Sequence, residues 1–184
     1  MVDEPHLSAD DAVFLLNLLE AAGVRTWLEG GWGVDALIGV ESRRHGDLDV
    51  FIECHTVPIA RASLAAEGFA EVPGGRPENF VMKHGSREVD IHVFEFDEAG
   101  DGIYGMADGT EWVCPAAGLA GRGTILGRDV RCFTAELQLQ CHSDYELDDD
   151  DLHDLALIRR EFPGAEPLPL VVRQPQQGHF RPRR

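Results

Sequence analysis

The sequence predicts an α+β fold in which helices flank a mixed β-sheet and a small helical portion follows near the C-terminus. Helix and strand patterns alternate in the first part of the chain, strand patterns dominate the middle, and helical patterns return before a proline-rich end. A length of 184 residues fits one folded core with a small addition.

The elements of the first part are bounded by capping residues and glycines. Ser8 is a predicted N-cap, and Gly23 and Gly68 are predicted helix stops. Helices are predicted over 8–23, 32–38 and 56–67, and strands over 24–28 and 47–52, with Gly30-Gly31 as the break between the first strand and the second helix.

The rest of the chain is predicted to be mostly strands followed by two helices. Strands are predicted over 69–72, 80–83, 88–96, 124–125 and 130–133, with a long Gly/Asp-rich loop over 97–110, and helices over 134–142 and 152–162. We therefore predict a core over 1–133, C-terminal helices over 134–162 packed on the same core, and a Pro-rich extended tail over 163–184.

The composition restricts the partners of the protein. It has 33 acidic and 16 basic residues and a net charge of −17, which repels nucleic acid and anionic membranes and attracts cationic small molecules. The same acidity also promotes solubility without any further function. No apolar run reaches membrane length, no signal-peptide pattern begins the chain, and the four cysteines show no paired spacing. A cytoplasmic protein with reduced thiols is the expectation.

The stretch 27–50 carries the strongest chemical pattern. Four polar residues, Arg43, His45, Asp47 and Asp49, occupy alternate positions, so on a strand they would share one face. Carboxylates two residues apart on a strand lie roughly 6–7 Å apart at their Cα atoms, close enough to hold a divalent cation. Gly30 and Gly31 at a helix start offer backbone N–H groups suited to phosphate.

A later strand pattern adds Asp90 and His92 on one face. Asp47, Asp49 and Asp90 together suit Mg²⁺, in a one- or two-ion arrangement that aligns a nucleoside triphosphate. Arg43 could add a charge clamp on the phosphates, and Asp90 or His92 could accept the proton of an attacking hydroxyl.

Two other classes remain open at this level. His45, Asp47, Asp49, Asp90 and His92 could ligate two transition metals in a hydrolase, because imidazole with carboxylate suits such ions. A non-catalytic binder of cationic ligands also fits the composition. The glycine turn ahead of the carboxylates favours triphosphate chemistry, since a hydrolase has no need of it.

Two segments, GGWGVDALIG followed by SRRHGDLDV and the later EVDIHVFEFDEAGDGIYG, carry a family resemblance. They resemble the small antibiotic nucleotidyltransferases of the polymerase-beta-like superfamily. The chain is similar to the small lincosamide nucleotidyltransferases, and more loosely to the aminoglycoside 2″-adenylyltransferases, from about residue 8 to 162. The resemblance implies a polymerase-beta-like core and Mg²⁺-dependent transfer of a nucleoside monophosphate, AMP first, from ATP or another NTP to an antibiotic hydroxyl. A lincosamide acceptor ranks first and an aminoglycoside second.

The resemblance also assigns roles to individual residues. Asp47 and Asp49 correspond to the metal pair, Asp90 to the third carboxylate, and Gly30, Gly31 and Arg43 to the nucleotide site. His92 takes a base or substrate role, while His142, Tyr145 and His153 lie in a stretch that approaches the acceptor in relatives. His45 is expected to organise the strand, and a homodimer is a further expectation. Two departures from the family pattern are Glu29, where relatives often have Asp, and the missing proline after His92.

Overall fold

The computed structural model describes residues 6–143 and 145–174, and these form five α-helices and ten β-strands. The helices are α1 (Ala9–Ala21), α2 (Gly30–Ile38), α3 (Val57–Ala66), α4 (Ala135–Cys141) and α5 (Asp149–Glu161). The strands are β1 (Thr26–Leu28), β2 (Leu48–Glu53), β3 (Ala70–Glu71), β4 (Asn79–His84), β5 (Arg87–Phe96), β6 (Gly102–Gly105), β7 (Glu111–Cys114), β8 (Arg122–Ile125), β9 (Arg128–Arg131) and β10 (Val171–Arg173). No helix in the described ranges is long and apolar enough to cross a membrane.

A mixed sheet organises the fold. Its main path runs β1-β2-β5-β6-β7-β10, with β4 pairing to β5 and β3 pairing to β4, and β8 with β9 forms a separate hairpin. The pairing of β2 with β5 is parallel, and the other pairings are antiparallel. The long strand β5 therefore joins the two halves of the sheet, and β2 lies beside it.

Alternate residues of β2 and β5 divide between two buried clusters. Leu48, Val50 and Ile91 pack with side chains of α1 and α3 in the larger cluster. Phe51 and Phe94 pack in a second cluster that also contains Trp27, Tyr104, Phe133 and Leu137. Complete burial of each such side chain stabilises the fold by roughly 1.5–3 kcal/mol. Because the strand period is two, Asp49, Asp90 and His92 lie on the side of the second cluster.

The predicted long loop over 97–110 is wrong, because this segment contains β6 and the turn into β7. The Asp97 carboxylate accepts hydrogen bonds from the backbone N–H groups of Ala99 and Asp101, which closes the first turn. Asp108 accepts similarly from Thr110 and closes the second turn. The Gly/Asp-rich composition therefore marks two tight turns, and the apolar pair at 103–104 is the short strand between them.

The last predicted helix is α5, which also includes the acidic residues before Leu152 as its first turn. Asp148 is the N-cap of α5 and forms a reciprocal capping box with Asp151, so the acidic run lies in the first turn where the helix dipole favours it. Residues 171–173 pair with β7 at the sheet edge. The rest of the predicted tail, 175–184, lies outside the described residues, as do residues 1–5 of the predicted core. The division into core, helices and tail stays a prediction.

Candidate active site

The glycine turn after β1 lies against the carboxylate of Asp49. Glu29 is the N-cap of α2, and Gly30 follows with a φ of 62°, in the left-handed region that favours glycine. A Cβ atom on Gly30 would lie 2.7 Å from Asp49 Oδ2, closer than packed atoms approach. Glycine is required here by both backbone conformation and space, and it leaves that oxygen unobstructed on the side of the turn.

Three of the predicted site residues converge where β2 and β5 run parallel. Asp49 is the register partner of Asp90, and His92 lies two residues further along β5. His92 Nε2 lies 3.8 Å from Asp49 Oδ1 and 3.8 Å from Asp90 Oδ2. Asp90 and His92 therefore point to the same face, with Asp49 beside them on the neighbouring strand.

Side chains from other strands fix the orientation of Asp90 and His92. Asn79 on β4 donates from Nδ2 to Asp90 Oδ1 at 2.8 Å, and the same nitrogen lies 3.2 Å from His92 Nδ1. The imidazole stacks on Phe51, with ring centroids 4.8 Å apart, and its Nδ1 lies 3.3 Å from the Tyr104 hydroxyl. The ring is held on one face and at one nitrogen, so its Nε2 is directed at the carboxylates.

Burial and mutual repulsion raise the proton affinity of this cluster. Burial is the largest cause of the raised pKa of Asp90, and burial followed by the charge of Asp49 raises the pKa of Asp47 to about 6. At His92, burial lowers the pKa, but the neighbouring carboxylates of Asp49 and Asp90 outweigh it and the pKa rises. A bound cation would relieve this concentration of negative charge.

Glu29 belongs to the cluster, although the sequence identified it only as a departure from the family pattern. Its carboxylate, Asp49 and His92 form the one group of three in the described part of the chain whose ligand atoms all lie within 4.8 Å of one another. Burial, followed by the charge of Asp49, raises the pKa of Glu29 to about 7. Asp47 and Asp90 lie outside this group. The sequence did contain a signal for Glu29, namely an acidic residue placed between a buried strand and a glycine turn.

Arg43 joins the segment before β2 to helix α5. Its Nε and Nη2 donate to the two oxygens of Asp154 at 3.0 and 2.8 Å, and its Nη1 donates to Asp150 at 2.9 Å. The Asp154 side chain is only 2% exposed. A Cβ on Gly31 would lie 2.5 Å from Arg43 Nη2, so the guanidinium also lies against the glycine turn. Contact with a phosphate would have to compete with these carboxylates.

We expect Arg43→Ala to lower the free energy of unfolding by about 3 kcal/mol, because it leaves the buried Asp154 carboxylate without its partner. Urea denaturation measures the loss. The double variant Arg43→Ala/Asp154→Ala is expected to lose less than the sum of the single variants. Additive losses would contradict a coupled pair and would leave the nucleotide as the main reason for the arginine.

His45 is a buried organiser of the segment that leads into β2. The strand begins at Leu48, so Arg43, His45 and Asp47 all precede it, and of the four residues predicted to share a strand face only Asp49 lies on the strand. His45 Nε2 lies 2.7 Å from Asp35 Oδ2, and Asp35 also accepts hydrogen bonds from the backbone N–H and hydroxyl of Ser42, at 2.8 and 2.6 Å. These bonds tie the segment to α2 and direct His45 Nε2 at Asp35.

We expect Asp35→Asn to lower the free energy of unfolding by about 2–3 kcal/mol, because charge-assisted bonds to His45 and Ser42 are weakened inside the protein. Chemical denaturation at neutral pH measures the change. Asp129→Asn is the matched control, since Asp129 is exposed and its loss should stay within about 0.5 kcal/mol. Equal stability of the two variants would refute the organising role of Asp35.

The three predicted acceptor residues are distributed over two places. His142 is buried, with Nδ1 2.7 Å from the Gln138 carbonyl oxygen and Nε2 3.5 Å from Asp151, and its charge is among those that lower the pKa of Glu29. The Tyr145 hydroxyl donates to Asp151 at 2.9 Å. His153 lies elsewhere, with Nε2 3.2 Å from the Ser42 hydroxyl. The first two therefore share Asp151, and His153 joins the Ser42 network.

A mixed sheet whose strand carboxylates lie beside a glycine turn agrees with the nucleotidyltransferase core that the sequence resemblance implies. The chain belongs to the aminoglycoside-2″-adenylyltransferase family, which matches residues 13–158. The predicted family and enzyme class are confirmed by this match.

Two relatives illustrate the range of the family. The chain is 26% identical over 155 residues to a lincosamide resistance protein of Staphylococcus haemolyticus, covering 84% of this chain and 96% of that protein. It is 32% identical over 125 residues to a 2″-aminoglycoside nucleotidyltransferase of Klebsiella pneumoniae, covering 65% of this chain and 66% of that protein. The predicted resemblance to both groups is confirmed.

Solved structures support the fold. The lincomycin-bound crystal structure of the lincosamide antibiotic adenylyltransferase LnuA superposes with a TM-score of 0.76 at 26% identity, covering 84% of this chain and 98% of that chain. The complex of ANT(2″)-Ia with adenylyl-2″-tobramycin has a TM-score of 0.68 at 18% identity, covering 83% and 88%, and is similar in fold alone. The predicted α+β nucleotidyltransferase fold is confirmed.

Proposed function

We propose that the chain transfers a nucleoside monophosphate from a nucleoside triphosphate to a hydroxyl of a cationic antibiotic and releases pyrophosphate. AMP is the first candidate for the transferred group. The observation that carries the proposal is the contact of the Gly30 turn with Asp49, at the place where Asp90 and His92 meet it. Phosphate-binding backbone and cation-binding carboxylates then act on one substrate.

The nucleotide is proposed to bind at the start of α2. Gly30 and Gly31 are the first residues of the helix and offer backbone N–H groups there, and the positive end of the helix dipole favours phosphate. Arg43 lies beside Gly31 and would add positive charge if the nucleotide draws it away from α5. The carboxylates of Asp47, Asp49 and Asp90 offer the oxygen ligands that Mg²⁺ prefers, and the charges of Asp49 and Asp90 both raise the pKa of Asp47. These three residues would hold one or two magnesium ions, which would neutralise the triphosphate charge.

Proton transfer from the acceptor hydroxyl is assigned to Asp90, with His92 as its neighbour. Asn79 occupies one oxygen of Asp90, and the other oxygen lies toward His92 Nε2. Burial raises the pKa of the Asp90 carboxyl, which makes its ionised form a better base than a solvated aspartate. A protonated His92 beside it would stabilise the ionised base before transfer.

A lincosamide is proposed as the first acceptor and an aminoglycoside as the second. Alignment over 96% of the lincosamide resistance protein supports this order, against 66% of the aminoglycoside relative. Both acceptor classes carry basic amines, which a chain of net charge −17 attracts. The proposal includes action in the cytoplasm, consistent with four free cysteines, and a homodimer, which the sequence resemblance implies.

The decisive experiment is a pyrophosphate-release screen with Mg²⁺ and ATP against a lincosamide, an aminoglycoside and no acceptor. The proposal expects release with an acceptor, fastest with the lincosamide, and little release without one. Faster release with the aminoglycoside would reverse the acceptor order. No release with any acceptor would favour a non-catalytic binder, and metal-dependent hydrolysis without nucleotide would favour the hydrolase.

A further inference from the structure

One group of side chains combines two carboxylates with an imidazole, a nitrogen ligand that Mg²⁺ does not prefer. Glu29, Asp49 and His92 each offer a ligand atom, and the three atoms all lie within 4.8 Å of one another. They come from the start of α2, from β2 and from β5, so three separate elements hold them in place. Ligand atoms around one divalent ion lie about 3–3.5 Å apart for bonds of about 2.1 Å, so each atom needs to move by less than about 1 Å.

The chemistry of this donor set selects among metals. Mg²⁺ prefers oxygen ligands and keeps several waters, whereas imidazole suits zinc and the other later first-row metals. One imidazole with two carboxylates is a donor set typical of transition-metal sites that leave positions open for other ligands. Asp47 and Asp90 lie outside this group, so it differs from the all-carboxylate set proposed for magnesium.

The surroundings of the group favour a bound cation. His92 Nδ1 lies 3.3 Å from the Tyr104 hydroxyl and 3.2 Å from Asn79 Nδ2, and these contacts hold the ring with its Nε2 directed at Asp49. A metal ion that displaces the Nε2 proton would find the ring already oriented. The glycine at position 30 leaves Asp49 Oδ2 clear, where any Cβ would lie 2.7 Å from that oxygen. The carboxylates of Glu29 and Asp49 lie close together and partly out of water, and a metal ion would offset that cost.

We propose that Glu29, Asp49 and His92 form a transition-metal site that binds Zn²⁺ far more tightly than Mg²⁺. The site exists in the protein without nucleotide, so it does not depend on the proposed function. Because it takes Asp49, a Zn²⁺ ion there would remove one of the carboxylates assigned to magnesium. Micromolar zinc would then inhibit nucleotidyl transfer in competition with Mg²⁺.

The test is calorimetric titration of the metal-free protein with ZnCl₂ and, separately, with MgCl₂, in the absence of nucleotide. We expect one tight Zn²⁺ per chain, with an affinity at least about a hundredfold above that for Mg²⁺. His92→Asn and Glu29→Gln should each weaken zinc binding about 10- to 100-fold. Cobalt absorption bands in the visible range should appear with the wild type and weaken in both variants.

His55→Asn is the matched control, because His55 is exposed and has one carboxylate, that of Glu53, 3.8 Å away. It should leave the tight zinc affinity unchanged. Circular dichroism checks the fold of each variant, and if one fails to fold, the other decides. No tight zinc in the wild type, or undiminished zinc affinity in a folded His92→Asn or Glu29→Gln variant, would overturn the proposal. Pyrophosphate release in zinc-free buffer tests the proposed function separately.

Discussion

Asp49→Asn is expected to lower the rate of nucleotidyl transfer by roughly a hundredfold to a thousandfold. Asp49 is the carboxylate on which the site depends most, because it touches the Gly30 turn and lies beside His92 and Asp90. Asparagine keeps the shape of the side chain but removes its charge, so the magnesium proposed to bind there would lose a ligand where the triphosphate charge must be neutralised. Initial rates of pyrophosphate release with saturating acceptor measure the loss.

Asp47→Asn is expected to give a similar loss of activity without a loss of stability. Burial and the charge of Asp49 raise the pKa of Asp47 to about 6, so its ionisation disfavours the folded protein as the pH rises through that value. In chelator at pH 8, the variant should therefore melt at or above the wild-type temperature. Activity above a few per cent of wild type in either asparagine variant would refute the metal assignment, and a marked fall in melting temperature would point to a structural role.

The period of two was enough to predict the centre of the site. Asp49 alternates with buried Leu48 and Val50, and Asp90 alternates with Ile91, so each strand face could be read along the chain. The sequence could not give the parallel pairing that sets Asp49 beside Asp90, because that contact joins positions far apart in the chain. The family resemblance was what assigned Asp49 and Asp90 to one site.

The predictions failed where distant partners decide the structure. Arg43 and His45 continue the alternation of the aspartates, yet β2 begins only at Leu48. Both side chains instead bind carboxylates on helices: Arg43 pairs with Asp154 on α5, 111 residues away, and His45 with Asp35 on α2. Glu29 was missed for a similar reason, since its neighbours come from β2 and β5. Local pattern fixes a side chain's face only where the strand itself continues.

Substitutions at Asp90 and His92 are expected to have the second large effect on activity. Comparing them distinguishes the residue that acts as the base from the residue beside it. Asp90→Ala is expected to lower kcat by about 10²- to 10⁴-fold, because the acceptor hydroxyl loses the group proposed to take its proton. His92→Ala should cost less, about tenfold, since it removes a positive charge beside the base and leaves the carboxylate held by Asn79. Single-turnover rates with both substrates bound separate this step from product release.

Asn79→Ala is the informative companion to these two variants. It keeps both reacting groups but removes the donor that lies 2.8 Å from Asp90 and 3.2 Å from His92. A loss in kcat with little change in the KM for the acceptor is expected if Asn79 only orients the base. Near-normal turnover in Asp90→Ala together with a large loss in His92→Ala would reverse the two roles. In that case the imidazole would be the base, and the bond from Asn79 to Asp90 would serve to hold a carboxylate that fixes the histidine.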